Sequence, residues 1–341
     1  MLAGGQLVEQ LERNLATQIG VRHAVAVSSG TAALHCAMHA LGVGPGSEVI
    51  TTPFTFVGSV NPAIMQGARL RFADIRLDDY GPEVAQLQSA VTERTAAVVV
   101  VDLYGQPVDE IGGISHRAGS KIPVVEDACQ ALGGRSSAGS AGALFDIGCF
   151  SFYATKNVTC GEGGAVVTDD DQLAAAARRF RQHGMTGPYE YAELGYNYRL
   201  TDIHAAIAVH QLSRVEKITD KRAHNAAALT EGLREVPGLM LPVVRPGVRH
   251  AWHQYVVRVT EDFGLTRDAT LAALAERGVH AAVYYPKPLT AYAHVRAATD
   301  GPLRFPNAEK AAREVLALPV HPALSRSDID RTIDALRGLS E

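Results

Sequence analysis

The sequence has few of the features that mark secreted, metal-binding or membrane-spanning proteins. Its 341 residues include four cysteines and one tryptophan. The cysteines are scattered and form no CxxC pair, which predicts reduced thiols in a cytoplasmic protein rather than a disulfide framework. No apolar run approaches the roughly 18 residues of a membrane helix, and the first residues lack the pattern of a signal peptide. The cysteines are Cys36, Cys129, Cys149 and Cys160.

An excess of charge of one sign is also missing. Lysine and arginine number 32 against 36 aspartates and glutamates, which gives a formal net charge of −4. This balance provides no basic surface for nucleic acid and no charged tail. The 13 histidines do not have metal-ligand spacing, so we predict no metal site. We interpret His204 and His210, on a predicted helix, as structural residues.

What is present is a regular alternation of apolar strands with helices and turns. Apolar strands separated in this way are typical of an α/β fold with a mainly parallel sheet covered on both faces. A chain with 47% apolar residues can bury the large core that such a sheet needs. The predicted strands cover residues 49–52, 70–75, 96–103, 122–125 and 147–153.

Helical spacing predicts the covering layers and a second domain. Leu7, Leu11, Leu15 and Ile19 lie on one face of a first helix, which Gly20 ends. Beyond residue 236 the composition indicates a small α+β domain, so we predict a large domain over 1–236 and a small one over 237–341. Its first strand is the alternating HQYVVRV. The other predicted helices cover residues 32–41, 170–183, 201–234 (capped by Thr201 or Asp202), 266–278, 307–318 and 327–336.

The stretch from Val124 to Val167 contains the strongest chemical signal. Lys156 lies in FSFYATKNVTCGEGG, where small residues leave its amine uncrowded. A lysine shielded from water has a lowered pKa and can form a Schiff base. Asp127 ends an apolar strand, where a carboxylate can keep a pyridine nitrogen protonated. A surface lysine and a helix-capping aspartate are the ordinary alternatives, but the combination favours a site for pyridoxal phosphate.

A second element, VAVSSGTAAL, has the pattern of a phosphate site. A short strand leads through Gly30 and Thr31 into an alanine-rich helix. Free N–H groups at a helix start bind anions, and a glycine lets the backbone approach closely. The hydroxyl of Ser151, five residues before Lys156, could reach the same phosphate. Turns of this type also cap helices where no ligand binds.

Six stretches of the sequence resemble the motifs of the DegT/StrS family of PLP-dependent aminotransferases, which have fold type I. In chain order they are SSGTAAL, GPGSEVITTPFTF, VVEDACQALGG, FSFYATKNVTCGEGG, GYNYRLTDIHAAIAVHQL and YYPKPL. The resemblance covers nearly the whole chain. It implies a leading segment of about two helical turns before the motif MLAGGQLVEQLE, with which this sequence begins. It also implies a homodimer with shared active sites.

The resemblance implies a role for each matching residue. Lys156 would bind the cofactor covalently and Asp127 would pair with its pyridine nitrogen. Gln130 would lie near the ring hydroxyl, and Phe56 would stack on the ring unless it is a core aromatic. The phosphate would be held by Gly30, Thr31, Ser151 and, from a neighbouring subunit, Asn197. Tyr153, His253, Tyr284 and Tyr285 are predicted to line the substrate mouth, each with a structural role as the alternative.

The implied activity is a two-stage transamination. L-Glutamate or L-glutamine would donate an amino group, and a keto-sugar or keto-cyclitol would accept it, in the biosynthesis of an amino sugar or another natural product such as an antibiotic. Lys156 would carry the proton as general base and acid. Thr290 stands where many relatives have a histidine, so the resemblance implies no nucleotide-sugar contact there.

Two other classes stay open from the residues alone. One is a PLP enzyme of the same fold that catalyses elimination, dehydration or ring chemistry, although the family's dehydratases replace the lysine with histidine. The other is a noncatalytic PLP-binding protein, against which the absence of a DNA-binding domain argues. A Rossmann oxidoreductase is excluded because GVGPGS lacks the GxGxxG spacing after a strand.

Overall fold

A seven-stranded sheet forms the centre of the computed structural model, which describes residues 4–112, 116–117 and 120–340. Within this sheet Gly164–Thr168 is antiparallel to both of its neighbours, and every other pairing is parallel. The predicted α/β class with a mainly parallel sheet is therefore confirmed. The strands lie in the order His23–Val27, Gly164–Thr168, Ile147–Ser151, Val124–Asp127, Thr95–Val101, Glu48–Thr51 and Arg69–Phe72.

Both faces of the sheet are buried. Along the strand Thr95–Val101, Val99 and Val101 belong to one apolar cluster, whereas Val98 and Val100 belong to a second cluster on the opposite face. Side chains alternate in this way because successive residues of a strand point to opposite sides. A sheet covered on both faces reads as a nearly continuous apolar run, which is why these strands could be recognised in the sequence.

Eleven α-helices lie within the described residues and pack around the sheets. Serine, threonine or aspartate caps five of the helix starts through the side chain: Ser29, Asp170, Thr201, Thr266 and Ser325. In chain order the helices are α1 Gln6–Ile19, α2 Gly30–Ala40, α3 Asn61–Met65, α4 Val84–Ser89, α5 Asp171–Arg181, α6 Asp202–Leu212, α7 Val215–Leu233, α8 Arg267–Glu276, α9 Ala293–Ala297, α10 Pro306–Glu314 and α11 Arg326–Ser340. None of them combines the length and the apolar character that crossing a membrane requires.

The first helix differs from its prediction at one position. Its buried residues are Val8, Leu11, Leu15 and Ile19, and Leu7 is 37% exposed. The helix repeat of 3.6 residues aligns position 8 with positions 11, 15 and 19, so Val8 takes the place that we assigned to Leu7. Gly20 ends the helix in the left-handed conformation, as predicted.

The predicted long helix is two helices, α6 and α7. The break falls at Ser213 and Arg214, where the Ser213 hydroxyl donates to the carbonyl of His210 at 2.8 Å. A serine that hydrogen-bonds to the preceding turn competes with the backbone ladder, which favours a helix end. The prediction of Thr201 as the N-cap is confirmed, because its hydroxyl accepts from the His204 N–H.

A smaller, three-stranded antiparallel sheet follows in the last third of the chain. Its strands are Leu239–Met240, Tyr255–Val259 and Val315–Leu318, in that order. The prediction of a helix over residues 307–318 was wrong at its end, since α10 stops at Glu314. All four residues of VLAL are buried, and an apolar run that is buried on both sides suits a strand as well as a helix. The domain boundary at residue 236 stays a prediction.

Short two-stranded hairpins complete the described chain. They pair Met185–Gly187 with Glu190–Tyr191, Arg135–Ser136 with Gly139–Ser140, and His116–Arg117 with Ser120–Lys121.

Two carboxyl groups lie side by side inside the large sheet. Asp102 and Glu126 are both 0% exposed. Glu126 accepts from the N–H groups of Gly142 and Leu144, and Asp102 accepts from that of Val108. Burial, together with the adjacent Glu126 carboxyl, raises the pKa of Asp102 well above its ordinary value, and burial raises the pKa of Glu126 to about 7. The folded protein therefore retains protons here that the unfolded chain has released.

This carboxyl pair makes the stability of the fold depend on pH. A carboxyl group whose pKa is raised by folding contributes stability that is present below its unfolded pKa of about 4 and is lost as the pH rises through its folded pKa. We expect the Asp102→Asn variant to gain stability relative to the wild type between pH 4 and pH 8, on the order of 2 kcal/mol. Urea unfolding at several pH values measures this.

The control is Asp334→Asn, which changes an exposed carboxylate of α11. It should follow the wild-type pH profile. If the free energy of unfolding changed with pH in parallel for Asp102→Asn and the wild type, the retention of a proton by the carboxyl pair would be contradicted.

Candidate active site

A cavity of about 630 Å³ opens at the carboxyl edge of the large sheet. Ligands of open α/β sheets bind outside the carboxyl ends of the strands, and this cavity follows that rule. Every predicted site residue except Asn197 lines it: Gly30, Thr31, Phe56, Asp127, Gln130, Ser151, Tyr153, Lys156, His253, Tyr284 and Tyr285. The structure therefore brings together residues that lie more than 250 positions apart in the sequence.

One wall is the amino terminus of α2. Ser29 caps this helix, because its hydroxyl accepts from the Ala32 N–H at 3.1 Å. A β-carbon added at Gly30 would lie 2.8 Å from the Cβ of Ser151 and 3.0 Å from the sulfur of Cys129. Only glycine fits there without displacing its neighbours. The helix start, the hydroxyl of Thr31 and that of Ser151 together form a surface suited to an anion.

Asp127 occupies the floor of the cavity at the end of its strand. It is 5% exposed and accepts a hydrogen bond of 2.6 Å from the Ser59 hydroxyl and one of 3.3 Å from the Cys129 N–H. Ser59 in turn lies 3.0 Å from the Thr55 hydroxyl. The sequence analysis missed Ser59. The signal that could have found it is the run of hydroxyl residues just after the strand Glu48–Thr51, at the same sheet edge.

Lys156 lies beyond the end of the strand Ile147–Ser151. Its N–H donates to the Tyr153 carbonyl at 2.9 Å and closes a turn that places the side chain on the cavity wall. Burial lowers the pKa of Lys156, and this effect exceeds the opposite one of nearby Cys129 and Asp127. A larger share of the amine is therefore neutral, which is the form that attacks a carbonyl group.

Cys129 also faces the cavity, but its surroundings make it a poor nucleophile. Burial and the neighbouring Asp127 raise the pKa of the Cys129 thiol well above its ordinary value. The reactive form of cysteine is the thiolate. All four cysteines of the chain are free thiols, as predicted.

Gln130 connects three parts of the wall. Its Oε1 accepts from the Tyr104 N–H at 2.7 Å, and its Nε2 donates to the Tyr285 hydroxyl at 3.1 Å. The Tyr104 hydroxyl donates to the Tyr284 carbonyl. One N–H of the Gln130 amide is left for a ligand, since an amide group carries two.

The aromatic residues divide between the core and the cavity. Phe56 is 54% exposed and its ring centre lies 6.2 Å from that of Tyr285. The core aromatic of this stretch is Phe54, at 1% exposed. Phe56 therefore presents its ring to the cavity, and the alternative that Phe56 is a core aromatic is wrong.

The segment from Ala251 to Gln254 crosses the back of the cavity. Asn157, next to Lys156, donates to the Ala251 carbonyl at 2.7 Å, and the Gln254 N–H donates to the Tyr104 carbonyl at 3.2 Å. His253 and Gln254 line the cavity. We name residues 251–254 the back strap.

Asn197 does not reach this cavity. It is exposed and forms an isolated bridge with Gln182. His204 Nδ1 forms a hydrogen bond with Thr201 Oγ1, and His210 is exposed on α6. Neither histidine lines the cavity. Among the described residues, no group of histidines, cysteines and carboxylates could hold a metal ion.

A partly buried lysine just beyond one strand end and a buried aspartate at the adjacent strand end, beside a helix start, form the arrangement expected of an α/β enzyme that makes a Schiff base. The sequence profile of the DegT/DnrJ/EryC1/StrS aminotransferase family matches residues 1–337. The chain belongs to this family, and it is an aminotransferase-family enzyme.

Solved structures agree with this assignment. DesV of S. venezuelae, in complex with a ketimine intermediate, is 35% identical, with a TM-score of 0.94 over 100% of this chain and 91% of DesV. DesI, in the presence of its TDP-sugar product, is 34% identical, with a TM-score of 0.91 over 99% of this chain and 86% of DesI. These similarities confirm fold type I.

Two further relatives concern the cofactor and the pathway class. The putative sugar aminotransferase Spr1654 of Streptococcus pneumoniae has a PLP form that is 26% identical, with a TM-score of 0.88 over 99% of this chain and 92% of Spr1654, and also a PMP form. The spore coat polysaccharide biosynthesis protein SpsC of Bacillus subtilis is 36% identical over 99% of this chain and 90% of SpsC.

The packing around Gly30 leads to a stability prediction. We expect Gly30→Ala to destabilise the protein by about 1–3 kcal/mol, because its methyl group overlaps Ser151 and Cys129. Gly338→Ala is the matched control, since a β-carbon there meets nothing within 4 Å and alanine favours an exposed helix by roughly 0.5–1 kcal/mol. Thermal unfolding of both variants tests the pair, and equal stability of Gly30→Ala and the wild type would contradict the tight packing.

Proposed function

We propose that the protein is a PLP-dependent aminotransferase that moves an amino group from L-glutamate or L-glutamine to a keto-sugar or keto-cyclitol. The observation that carries this proposal is the shared cavity of Lys156, with its lowered pKa, and Asp127. The sugar class is supported by the DesI structure with its TDP-sugar product. Such a reaction belongs to the biosynthesis of an amino sugar or of a natural product that contains one.

The cavity residues fit pyridoxal phosphate. The α2 start has the backbone N–H groups and hydroxyls that a phosphate needs, and Gly30 allows the close approach. Asp127 is a buried carboxylate suited to a protonated pyridine nitrogen, and Gln130 has a free N–H near it for the ring hydroxyl. Phe56 offers an exposed ring face for stacking. Thr31 and Ser151 would hold the phosphate.

The protein's part in the chemistry follows from these positions. When bound, the cofactor supplies a carbonyl group and an electron-withdrawing ring. Lys156 Nζ would hold the cofactor. Once the amino donor has taken its place, the freed neutral amine would move a proton from the substrate carbon to the carbon of the cofactor's former carbonyl group. Asp127, fixed by Ser59, would keep its negative charge directed at the ring nitrogen. The cavity walls partly desolvate the amine.

Within the described residues, Lys156 is the one lysine or arginine that lines the cavity of a single chain, so an anionic substrate finds few cations there. Its charged lining consists of Lys156, Asp127 and Glu162 within the described residues. The neighbourhood of Asn197 exposes large apolar side chains, as a surface does when a second subunit covers it. Tyr189 is 85% exposed and Leu194 75%. These observations support a homodimer in which Asn197 of each chain completes the phosphate site of the other.

Four residues are proposed for the substrate side. Tyr153 is 46% exposed at the mouth, and His253 lies at the back. Tyr284 and Tyr285 form the remaining wall, with Tyr285 fixed by Gln130. Hydroxyl and imidazole groups can donate and accept hydrogen bonds with the hydroxyls of a sugar.

The absorption spectrum tests the reaction. We expect the purified protein with pyridoxal phosphate to absorb in the visible, and this band to move to the ultraviolet when L-glutamate or L-glutamine is added. Lys156→Ala should lack the visible band of the lysine-bound cofactor. A visible band that no amino donor converts would contradict the aminotransferase reaction.

Cofactor affinity tests the second subunit. Asn197→Ala should weaken cofactor binding by about 3- to 10-fold, which corresponds to one lost hydrogen bond, while Lys156 still binds the cofactor covalently. Asn14→Ala, at an exposed position of α1, is the control and should bind normally. An unchanged affinity of Asn197→Ala, or a monomer in light scattering, would contradict the shared site.

A further inference from the structure

His253 has an unusual position for a polar side chain of the cavity. It is 8% exposed, and its buried Nδ1 atom has no hydrogen-bond partner within the described structure. Leaving such an atom unpaired costs roughly 1–3 kcal/mol. The ring lines the same cavity as Lys156, so a molecule bound there is the available partner.

The position of this ring is set by contacts with the main-chain atoms of the back strap. Arg222, on α7, donates from Nη1 to the Trp252 carbonyl at 3.0 Å and to the His253 carbonyl at 3.2 Å. A β-carbon at Gly105 would lie 3.0 Å from the His253 nitrogen, so the strap and Gly105 are in close contact. These contacts hold the strap without using the imidazole, and the ring remains free for a ligand.

Arg222 also contributes to the charge state of the ring, after burial and Lys156. It is 7% exposed and has no carboxylate within 4 Å in the described part of the chain, so its positive charge is not neutralised. Burial, and after it Lys156, Arg222 and His250, lower the pKa of His253 well below its ordinary value. These are the charged and titratable groups that face the ring from α7, from the Lys156 turn and from its own segment. The imidazole is therefore neutral at physiological pH.

A neutral imidazole selects its partner by chemistry. It has one donor and one acceptor nitrogen, which match a hydroxyl group, itself a donor and an acceptor. It has no charge to attract the carboxylates of an amino-acid donor. The two substrates of the reaction differ in this respect, since the ketone carries hydroxyls and the amino donor carries carboxylates.

We propose that His253 is a specificity residue that binds an uncharged hydroxyl of the ketone substrate, and that Arg222 is the positioning residue that holds it. This inference rests on the proposed function and names the residue that distinguishes the two substrates. Arg222 acts through the strap and through its charge, and it does not line the cavity.

The first experiment measures the charge of the ring in the PLP-loaded protein labelled with ¹⁵N-histidine. The His253 signal is assigned by its loss in His253→Asn. In the wild type it should stay neutral well below the ordinary histidine pKa of about 6.5. In Arg222→Gln it should take up a proton at a higher pH than in the wild type, whereas Lys221→Gln, which removes an exposed charge from the same helix, should match the wild type. An ordinary wild-type pKa would overturn the neutral ring, and a titration of Arg222→Gln equal to that of the wild type would overturn the role of Arg222.

The second experiment measures ligand contact with a matched pair of probes, TDP-glucose and TDP. TDP-glucose should shift the His253 ring signal, and TDP should not, because only TDP-glucose carries the hexose with its hydroxyls. In calorimetry, His253→Leu should weaken TDP-glucose binding by about 3- to 10-fold and leave TDP binding unchanged. His253→Asn, which keeps a donor and an acceptor, should lose less. Equal effects of both probes, or none, would overturn the proposal.

The two proposals fail in different ways. Both measurements read the ring or the binding of a probe without turnover, and the titration is made on the wild type, with His253→Asn used only to assign the signal. If neither L-glutamate nor L-glutamine changes the cofactor spectrum of the wild type while TDP-glucose still shifts the ring signal, the proposed reaction is wrong and the hydroxyl contact of His253 stands.

Discussion

The parallel pairing of Val124–Asp127 with Ile147–Ser151 is the constraint on which the site depends. Its register places Cys149 opposite Asp127, so the two strands end within two residues of each other at one sheet edge. The aspartate is then on the cavity floor, and the turn that follows Ser151 returns Lys156 to the same place. Strand hydrogen bonds fix the backbone of Asp127, and the turn that the Lys156 N–H closes onto the Tyr153 carbonyl fixes that of Lys156. Rigid elements of this kind hold reacting groups more accurately than loops do.

Desolvation sets the reactivity of the side chains in this cavity. The walls that bury Lys156 lower its pKa, and the same walls raise the pKa of Cys129. Burial favours the neutral form of both groups. For the amine the neutral form is the nucleophile, whereas for the thiol it is the inert form. The same environment therefore favours the reactive form of Lys156 and the unreactive form of Cys129.

Most of the fold and of the site could be predicted from the sequence. Strands buried on both faces and helices with side-chain caps leave strong local patterns, and Lys156, Asp127 and Gly30 stand at the ends of such patterns. The errors have physical causes. VLAL near residue 316 is apolar at every position, so only its pairing with Tyr255–Val259 decides for a strand. Ser59 and Arg222 act through partners 68 and about 30 residues away, and no local spacing reports such contacts.

The back strap has a consequence for how such an enzyme can change its substrate. Its path is fixed by main-chain atoms, through Arg222, Asn157, Tyr104 and the close approach of Gly105. A side chain that takes no part in holding the segment can be exchanged while the chain keeps its course. Position 253 is therefore a place where new substrate preferences can be sampled in evolution or in the laboratory while the helix-start wall around Gly30 stays unchanged.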